Sequence, residues 1–262
     1  MRFLDRFDCQ LVEIDLVNSQ PGLFAAITPA HIKRFAPECA AAIPFFQAVK
    51  EKEDYKLFQR LCFDGTIYEY LQQEYNRAYG AKLLKLLTRD DAKNIFYVGA
   101  FSDYDFMDSQ HEVVWEQKRD NALLYGASDE RVSEVEDALH KVRSYQLLET
   151  LFPSLIHLFA QLKQLDWAAL GAVKAHSTNC LLVQRIESGL IFTVFVKALL
   201  AAGIEYVVTL HDAVFLREVD APRARKIIEQ EMRGLGLKLK LKEKKDTATS
   251  QSEKLTKPLI AS

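Results

Sequence analysis

Apolar and polar residues alternate near both ends of the chain, and this pattern predicts β-strands there. The predicted strands, all rich in Val, Ile or Leu, cover residues 9–17, 205–210, 213–218 and 237–242. The turn-forming residues 18–22 end the first strand. The second and third strands form a predicted hairpin that turns at His211 and Asp212, and the last strand, which alternates Leu with Lys, is predicted to be half-buried.

Between these strands, apolar residues recur at the spacing of amphipathic helices. The predicted helices cover residues 23–27, about 54–87 with a break at 64–66, 88–99, 133–151, 154–165, 178–201 and 222–233. Thr88 with Asp91 three positions later is typical of a helix cap, and Gly99 of a helix end. Residues 28–50, which hold three prolines, predict short helices and loops, whereas residues 102–130 predict an exposed excursion with little helical period.

This order of elements predicts an α+β fold in which a small antiparallel sheet is backed by helices and carries a helical insertion. One strand opens the chain, helices fill the middle, and a hairpin, a helix and a strand close it. Asp15 and Asp212 are far apart in the sequence, but we expect them to meet on neighbouring strands. Residues 246–262 are polar and predict a disordered tail.

Composition narrows the function classes. The apolar fraction of 49% supports a core, and the net charge of −2 provides no overall field toward nucleic acid, so nucleic-acid binding would need a local basic surface. The four cysteines form no CxxC pair and the six histidines have no zinc-binding spacing, so a zinc site is not expected. We find no apolar run of membrane-spanning length and no signal-peptide pattern, and we therefore expect a cytoplasmic protein with no membrane contact.

Asp15 and Asp212 are the candidate metal ligands. Mg²⁺ binds through one or two carboxylates together with substrate phosphates, and two-metal sites stabilise both the attacking and the leaving oxygen. Two aspartates on adjacent strands suit such a site. The alternative, more common for either residue alone, is that each aspartate caps or solvates the end of a strand.

Arg89, Lys93 and Tyr97 are spaced four residues apart and are predicted to share one face of a helix. Arg can bind two phosphate oxygens at once and Lys acts as a point charge, so this face could hold a nucleoside triphosphate. Tyr97 could offer its ring to a base or a sugar. The alternative is a solvated charged face with Tyr97 in the core.

Three further residues are candidate contacts to a primer or template. His211 stands in the hairpin turn and could hold a backbone or phosphate group, although a structural histidine is equally plausible. Gln184 and Glu187 are polar on the most apolar predicted helix, which indicates a groove or structural hydrogen bonds to the sheet. The lysine-rich run 238–245 is interpreted as the outer face of a strand, which could also contact a nucleic-acid backbone.

These motifs resemble those of family A DNA polymerases, the bacterial DNA polymerase I type, reduced to palm and fingers. The first family motif is a strand ending in Asp followed by Ser-Gln, and here Asp15 precedes the run 18–20. The second places Arg, Lys and an aromatic residue four apart, as 89–97 does, although Gly99 comes one residue late. The third is a His-Asp-Glu hairpin, which reads His-Asp-Ala at 211–213. The resemblance covers about residues 9–243.

The resemblance implies roles for these residues. Asp15 and Asp212 would hold two Mg²⁺ ions, while Arg89 and Lys93 would bind the triphosphate. Lys93 would also protonate the leaving pyrophosphate, and Tyr97 would stack near the incoming nucleotide. The expected substrates are a DNA primer-template and deoxynucleoside triphosphates, with a role in DNA replication.

The departures from the family pattern change the expectations. Gln20 stands near the place of the family's sugar-gate glutamate, so discrimination against ribonucleotides is in doubt, and Ala213 replaces a third carboxylate. No thumb or proofreading exonuclease segment precedes residue 9, so a protein partner that supplies a thumb or processivity is expected. The predicted domains are palm, fingers, palm and tail, over residues 1–50, 51–150, 151–245 and 246–262.

Two alternatives remain at this point. One is a non-catalytic palm-fold protein that binds nucleic acid or organises a replication complex, which the missing thumb and third carboxylate favour. The other is a primase-like or RNA-polymerase-like enzyme, because the single-subunit RNA polymerases share the palm arrangement and the sugar gate is missing here.

Overall fold

A computed structural model describes residues 10–166, 178–210 and 212–245. The fold is α+β: it is mostly helical, at 71%, with a small four-stranded antiparallel sheet. The chain divides into two compact units. The sheet unit contains residues 10–19, 187–210 and 212–245 of the described chain, and the helical unit contains residues 20–166 and 178–186. The predicted tail, 246–262, lies outside the described residues, and the assignment of palm and fingers segments stays a prediction.

The sheet is built from four strands in the order β2-β3-β1-β4. Their bounds are β1 Leu11–Leu16, β2 Val207–Leu210, β3 Ala213–Arg217 and β4 Leu241–Lys245. The predicted hairpin of β2 and β3 is confirmed, and β1 pairs antiparallel with both β3 and β4. The predicted closing strand 237–242 is wrong in position. Leu237 and Leu239 are buried as the alternation predicts, but the ladder with β1 begins only at Leu241.

The helices of the described chain differ in length. Their bounds are α1 Ser19–Ala26, α2 Pro29–Phe35, α3 Ile43–Val49, α4 Glu53–Asp64, α5 Ile67–Tyr79, α6 Ala92–Phe101, α7 Tyr104–Asp108, α8 Glu112–Leu124, α9 Asp129–Leu151, α10 Pro153–Lys163, α11 Thr178–Leu190, α12 Lys197–Ala201 and α13 Ala221–Gly234. A π-helical segment, Ile191–Val196, joins α11 to α12, and 3₁₀ turns occupy Pro37–Ala42, Gly80–Lys82 and Glu218–Asp220. The predicted break at Gly65 is confirmed by its left-handed conformation, with φ of 75°.

An aromatic cluster forms the core of the helical unit. Phe24 of α1 lies 4.8 Å from Phe159 of α10 between ring centroids, and Phe58 of α4 lies 5.6 Å from Phe152. Phe96 of α6 joins the two pairs, at 6.1 Å from both Phe24 and Phe58. All five rings are fully buried, so this cluster holds α1, α4, α6 and α10 together through a large apolar area.

The prediction of little helical structure over residues 102–130 is wrong, because α7 and α8 lie there, whereas the predicted exposure of this segment is confirmed for α8. No residue of α8 is buried. A helix that buries no face needs no apolar stripe, and such a stripe is the pattern by which a helix is predicted from sequence. Ionic contacts attach this helix to α9 instead. The guanidinium of Arg143, on α9, donates hydrogen bonds to Glu112 and to Glu116 of α8, at 3.0 and 2.8 Å.

Helix α6 is predicted to end near Gly99, and it ends two residues later, at Phe101. A Cβ atom at position 99 would lie 2.3 Å from the Leu148 Cδ1 atom of α9, which is closer than packed atoms approach. Gly99 therefore provides space between two packed helices rather than a helix end.

We expect Gly99→Ala to lower the free energy of unfolding by about 1–3 kcal/mol, because the added methyl overpacks the contact with Leu148. Urea unfolding followed by circular dichroism measures this change. Gly234→Ala is the matched control, since a Cβ atom there meets nothing within 4 Å in α13. The control should be neutral or slightly stabilising, because alanine favours the helix. Equal effects in the two variants would show that the α6–α9 contact is loose.

The apolar run Thr178–Ala201 contains 24 residues with a mean hydropathy of 1.3, and by length and composition alone it could cross a membrane. The expectation that no run reaches this length is therefore not met. Inside the protein, 44% of its most apolar window is buried, and core helices of folded proteins have the same properties. A cytoplasmic location stays a prediction.

Candidate functional site: a carboxylate pair on the sheet

Strand β1 presents two acidic residues on one face and apolar residues on the other. Val12, Ile14 and Leu16 are buried and alternate with the partly exposed Glu13 and Asp15. Helix α13 packs against β1, and this helix buries Ala224, Ile228 and Met232. Because side chains alternate along a strand, burying the apolar set fixes both carboxylates on the opposite face.

The β2–β3 hairpin brings Asp212 to the same place. Asp212 directly precedes β3, whose first residue, Ala213, pairs with Asp15 across the sheet. The predicted placement of the two aspartates on neighbouring strands is therefore confirmed. His211, the predicted primer contact in this turn, lies outside the described residues.

The two carboxyl groups interact strongly. The pKa of Asp15 is raised to about 6, first because the carboxyl is partly buried and then because of the charge of Asp212. A side-chain hydrogen bond with Asp212 also contributes to the raised pKa of Asp15. Asp15 Oδ1 is buried and has no hydrogen-bond partner among the residues that the structure describes. The Oδ1 atom therefore offers a free lone pair to a cation.

Glu187 of α11 belongs to the same electrostatic environment. Its pKa is raised to about 7, mainly by burial and then by the charge of Asp212, with Asp15 as a smaller cause. A hydrogen bond with the Ser19 side chain acts in the opposite direction. The sequence predicted Glu187 as a primer or template contact, and the structure places it beside the carboxylate pair. Gln184, which the sequence also predicted as a primer or template contact, is exposed and belongs to the helical unit.

Lys244 and Glu13 are site residues that the sequence reasoning missed. The Nζ atom of Lys244 lies 3.5 Å from Asp15 Oδ2 and donates a hydrogen bond to Glu13 Oε1. The signal for Glu13 was its position two residues before Asp15 on a strand, which puts both on one face. The lysine-rich run 238–245 was recognised, but the pairing register that selects Lys244 cannot be read from the sequence.

Arg89 and Lys93 do not share a helix face as predicted, because Arg89 lies in the turn before α6. Its guanidinium bonds to Glu69 and lies over the ring of Tyr68, 5.6 Å from the centroid. Lys93, in the first turn of α6, pairs with Asp90 at 2.9 Å. The two cationic side chains are 42% and 41% exposed, so both are open to solvent and to an anion.

Tyr97 and Gln20 also belong to the helical unit. Tyr97 is 37% exposed, and its ring stacks on Phe101 with centroids 5.9 Å apart, so the alternative of a fully buried core tyrosine is wrong. Gln20 stands in the first turn of α1, and its Oε1 atom is buried with no hydrogen-bond partner among the described residues. Ahead of α1, Asn18 adopts a left-handed conformation with φ of 53°, which asparagine tolerates and which lets the chain turn between β1 and α1.

The site residues fit a divalent ion of the magnesium type. Asp15 and Asp212 supply hard oxygen ligands, and the buried Oδ1 atom of Asp15 accepts no hydrogen bond from any described residue. Within residues 10–166, 178–210 and 212–245, no group of three or more His, Cys, Asp or Glu side chains could hold a metal ion by itself. A pair of carboxylates agrees with Mg²⁺, which takes its remaining ligands from water and phosphates.

A cavity of about 920 Å³ lies in the helical unit, apart from any predicted site residue. Its lining includes Asp103, Tyr104, Tyr145, Glu149 and Lys163. The Lys163 ammonium donates to the Ser102 carbonyl and lies 3.4 Å from the centroid of the Tyr104 ring. Burial lowers the pKa of Lys163 to about 7, although the negative charge of Asp103 acts in the opposite direction and raises it.

We expect Lys163→Met to raise the free energy of unfolding by about 2 kcal/mol near pH 6.5, because the protonated lysine is unfavourable in this buried position. From pH 7 toward 10.5, folded Lys163 is neutral while the unfolded chain still binds the proton, so wild-type stability rises and the difference shrinks. Urea unfolding at pH 6.5 and 9.5 measures this. Lys141→Met, at an exposed position, is the control. A pH-independent difference would contradict the burial of the ammonium.

No family model matches the chain, and no similar sequence was found among the curated proteins. Assignment of a function therefore depends on the motifs and on the geometry of the carboxylate pair. Of the candidate residues, Asp15, Asp212 and Glu187 are brought together in the sheet unit. Arg89, Lys93, Tyr97, Gln20 and Gln184 belong to the helical unit.

Proposed function

We propose that the protein is a template-directed nucleotidyltransferase, a minimal DNA polymerase of the family A type that uses two Mg²⁺ ions. One observation carries the proposal. Asp15 on β1 and Asp212, which directly precedes the neighbouring strand β3, come together from distant parts of the chain, and the charge of Asp212 hinders ionisation of Asp15. Such a pair is unfavourable by itself and becomes favourable when cations bind, which is typical of a functional site.

Asp15 and Asp212 would hold the metal ions. Bound Mg²⁺ would stabilise the attacking and leaving oxygens of an in-line displacement at phosphorus. Asp15 offers the buried Oδ1 atom, which has no other partner among the described residues, and Asp212 offers a carboxylate at the hairpin turn. Burial and the two aspartates raise the pKa of Glu187 to about 7, so bound cations would favour its ionised form and it would then add negative charge at the edge of the pair. Glu187 also stays a proposed contact to the primer or template.

Arg89, Lys93 and Tyr97 would bind the incoming nucleotide. Glu69 and Tyr68 hold the guanidinium of Arg89 in place, which leaves part of its hydrogen-bonding fork for a phosphate. Among the described residues, Lys93 forms an ion pair with Asp90, whose carboxylate is 82% exposed, so this contact contributes little energy. Lys93 can therefore exchange this partner for a phosphate and deliver a proton to the leaving pyrophosphate. The half-exposed ring of Tyr97 would stack near the sugar or base.

Gln20 and Ala213 stand near positions where family A polymerases have carboxylates, which limits the expected nucleotide discrimination and activity. Gln20 carries no charge, so it would exclude a 2′-hydroxyl less strongly than a carboxylate, and both kinds of nucleotide could be incorporated. The primer-template would contact His211 and Gln184, and a partner protein would supply the grip of a thumb. The alternatives are a noncatalytic scaffold and a primase-like enzyme, and the primer-extension experiment below separates them from the proposed polymerase.

Extension of a labelled DNA primer on a template tests the proposal. Reactions would contain Mg²⁺ with deoxynucleotides or ribonucleotides, and parallel reactions would contain a chelator or the Asp212→Asn variant. We expect template-directed extension that both changes abolish. Binding of primer-template without extension, with Mn²⁺ as well as Mg²⁺, would favour the scaffold. Synthesis from ribonucleotides without a primer would favour the primase-like enzyme.

A further inference from the structure

The solvent-facing side of the sheet carries a row of opposite charges beside the carboxylate pair. In the antiparallel register of β1 and β4, Glu13 pairs with Lys244 and Asp15 pairs with Lys242. Side chains of directly paired residues project from the same face of a sheet. The four side chains therefore share the face that presents Asp15, while the apolar residues of β1 occupy the other.

Lys244 stands between the two acidic residues of β1. Its ammonium group donates a hydrogen bond to Glu13 Oε1 and lies 3.5 Å from Asp15 Oδ2. The side chains of Glu13 and Asp15 are 23% and 20% exposed, so water screens these contacts only partly. The neighbouring Lys245 pairs with Glu218 instead, at 2.6 Å. Consecutive residues of a strand point to opposite faces, so the two lysines serve different sides of the sheet.

We propose that Lys244 is an internal cation that competes with a divalent metal ion for Asp15. This inference rests on the proposed function, because it assumes that Asp15 and Asp212 bind the metal. In the metal-free protein the ammonium partly neutralises Asp15 and Glu13. When a metal ion binds, like-charge repulsion and loss of the Asp15 contact shift Lys244 onto Glu13, with which it is already paired.

The lysine side chain suits this exchange. It carries a compact charge on a flexible four-carbon stem, so it can retain Glu13 as a partner while it leaves Asp15. Glu13 then acts as a positioning residue that receives the displaced ammonium. The arrangement sets the metal concentration at which the site fills, because the ammonium beside Asp15 Oδ2 repels an ion that binds at the free Oδ1 atom of the same carboxylate.

Binding of Mn²⁺ alone, measured from the electron paramagnetic resonance signal of the free ion, tests the competition without any catalytic readout. We expect Lys244→Gln to bind Mn²⁺ roughly five- to tenfold more tightly than the wild type, because one competing positive charge is removed near Asp15. Lys245→Gln is the matched control on the same strand, and its affinity should equal that of the wild type. Asp15→Asn should lose the binding.

Thermal unfolding provides a second readout. Without metal, Lys244→Gln should unfold about 2–4 °C below the wild type, because the carboxylates of Glu13 and Asp15 lose their neutralising partner. Saturating Mn²⁺ should raise the unfolding temperature of this variant more than that of the wild type. This comparison also shows whether the variant is folded before its affinity is interpreted.

The outcomes separate this inference from the proposed function. If the wild type binds Mn²⁺ through Asp15 but Lys244→Gln binds equally or more weakly, the metal site stands and the competition is wrong. If Lys245→Gln tightens binding as much as Lys244→Gln, the effect is one of general charge and the assigned position of Lys244 is wrong. If neither the wild type nor Lys244→Gln binds Mn²⁺, both the metal site and the competition are wrong.

Discussion

Replacement of Asp15 by asparagine is expected to reduce Mg²⁺-dependent primer extension by at least about a hundredfold. Substitutions that act on metal ligands only indirectly already cost about 10- to 100-fold, and this change removes a direct ligand. The asparagine side chain keeps the shape of the aspartate but loses the charge that attracts the ion. The loss should not be rescued by more nucleotide, because the missing group binds metal rather than the base or sugar.

The same substitution is expected to stabilise the metal-free protein, which a purely structural role would not do. Burial and the charge of Asp212 raise the pKa of Asp15 to about 6, so near neutral pH the ionised carboxylate is unfavourable in the folded state. An asparagine removes the repulsion and can donate a hydrogen bond to Asp212. The expected gain is about 1 kcal/mol, since partial exposure screens the charges and the contact with Lys244 is lost.

Primer-extension rates and urea unfolding, both measured on one preparation, check this pair of effects. Glu229→Gln in α13 is the control in the same unit: its carboxylate pairs with Arg225 at 2.9 Å and lies outside the proposed site. It should leave extension unchanged and stability within about 0.5 kcal/mol. Full activity in Asp15→Asn would refute its role as a metal ligand. Lower stability without a loss of activity would indicate a structural aspartate.

The sheet and the carboxylate pair could be predicted because short-range patterns determine them. The apolar alternation of β1 and the two β-rich runs around His211 and Asp212 indicate strands directly, and a tight hairpin needs no long-range information. Asp15 and Asp212 follow from these strands, since each lies where a strand ends or begins. The α+β class follows from the same order of elements.

Pairing register and interhelical contacts could not be predicted in this way. The Leu-Lys alternation before and within β4 looks the same over residues 237–242, so it does not show which residue first pairs with β1. Lys244 becomes a site residue only through that register. Gly99 looked like a helix end because glycine often follows one, whereas its true role depends on Leu148, which is distant in sequence.

The positions of the charged candidate residues Arg89 and Glu187 could be predicted only in part. Arg89 was assigned to a helix face from spacing alone, but the hydrogen bonds between Thr88 and Asp91 form a turn ahead of α6, and Arg89 lies in it. Glu187 was recognised as a polar residue on an apolar helix, which was the correct signal. Its closeness to Asp212 depends on how α11 packs, and sequence spacing does not contain that information.

Arg143→Ala is expected to lower the free energy of unfolding by about 3–5 kcal/mol. The side chain is 1% exposed and holds α8 to α9 through the carboxylates of Glu112 and Glu116. The guanidinium also lies 5.2 Å from the centroid of the Tyr79 ring. Removal leaves a cavity and two partly buried carboxylates, for which only the exposed Lys82 remains as a counter-charge among the described residues.

Arg131→Ala separates burial from mere ion pairing, because Arg131 lies on the same helix and pairs with Glu134 at 2.7 Å in solvent. This control should cost less than about 1 kcal/mol, as exposed pairs do. Urea unfolding of both variants measures the difference. Since α8 buries no apolar residue, we also expect limited proteolysis to cut Arg143→Ala first within 112–124. Equal costs in the two variants, or cleavage elsewhere, would mean that contacts other than Arg143 attach α8 to the unit.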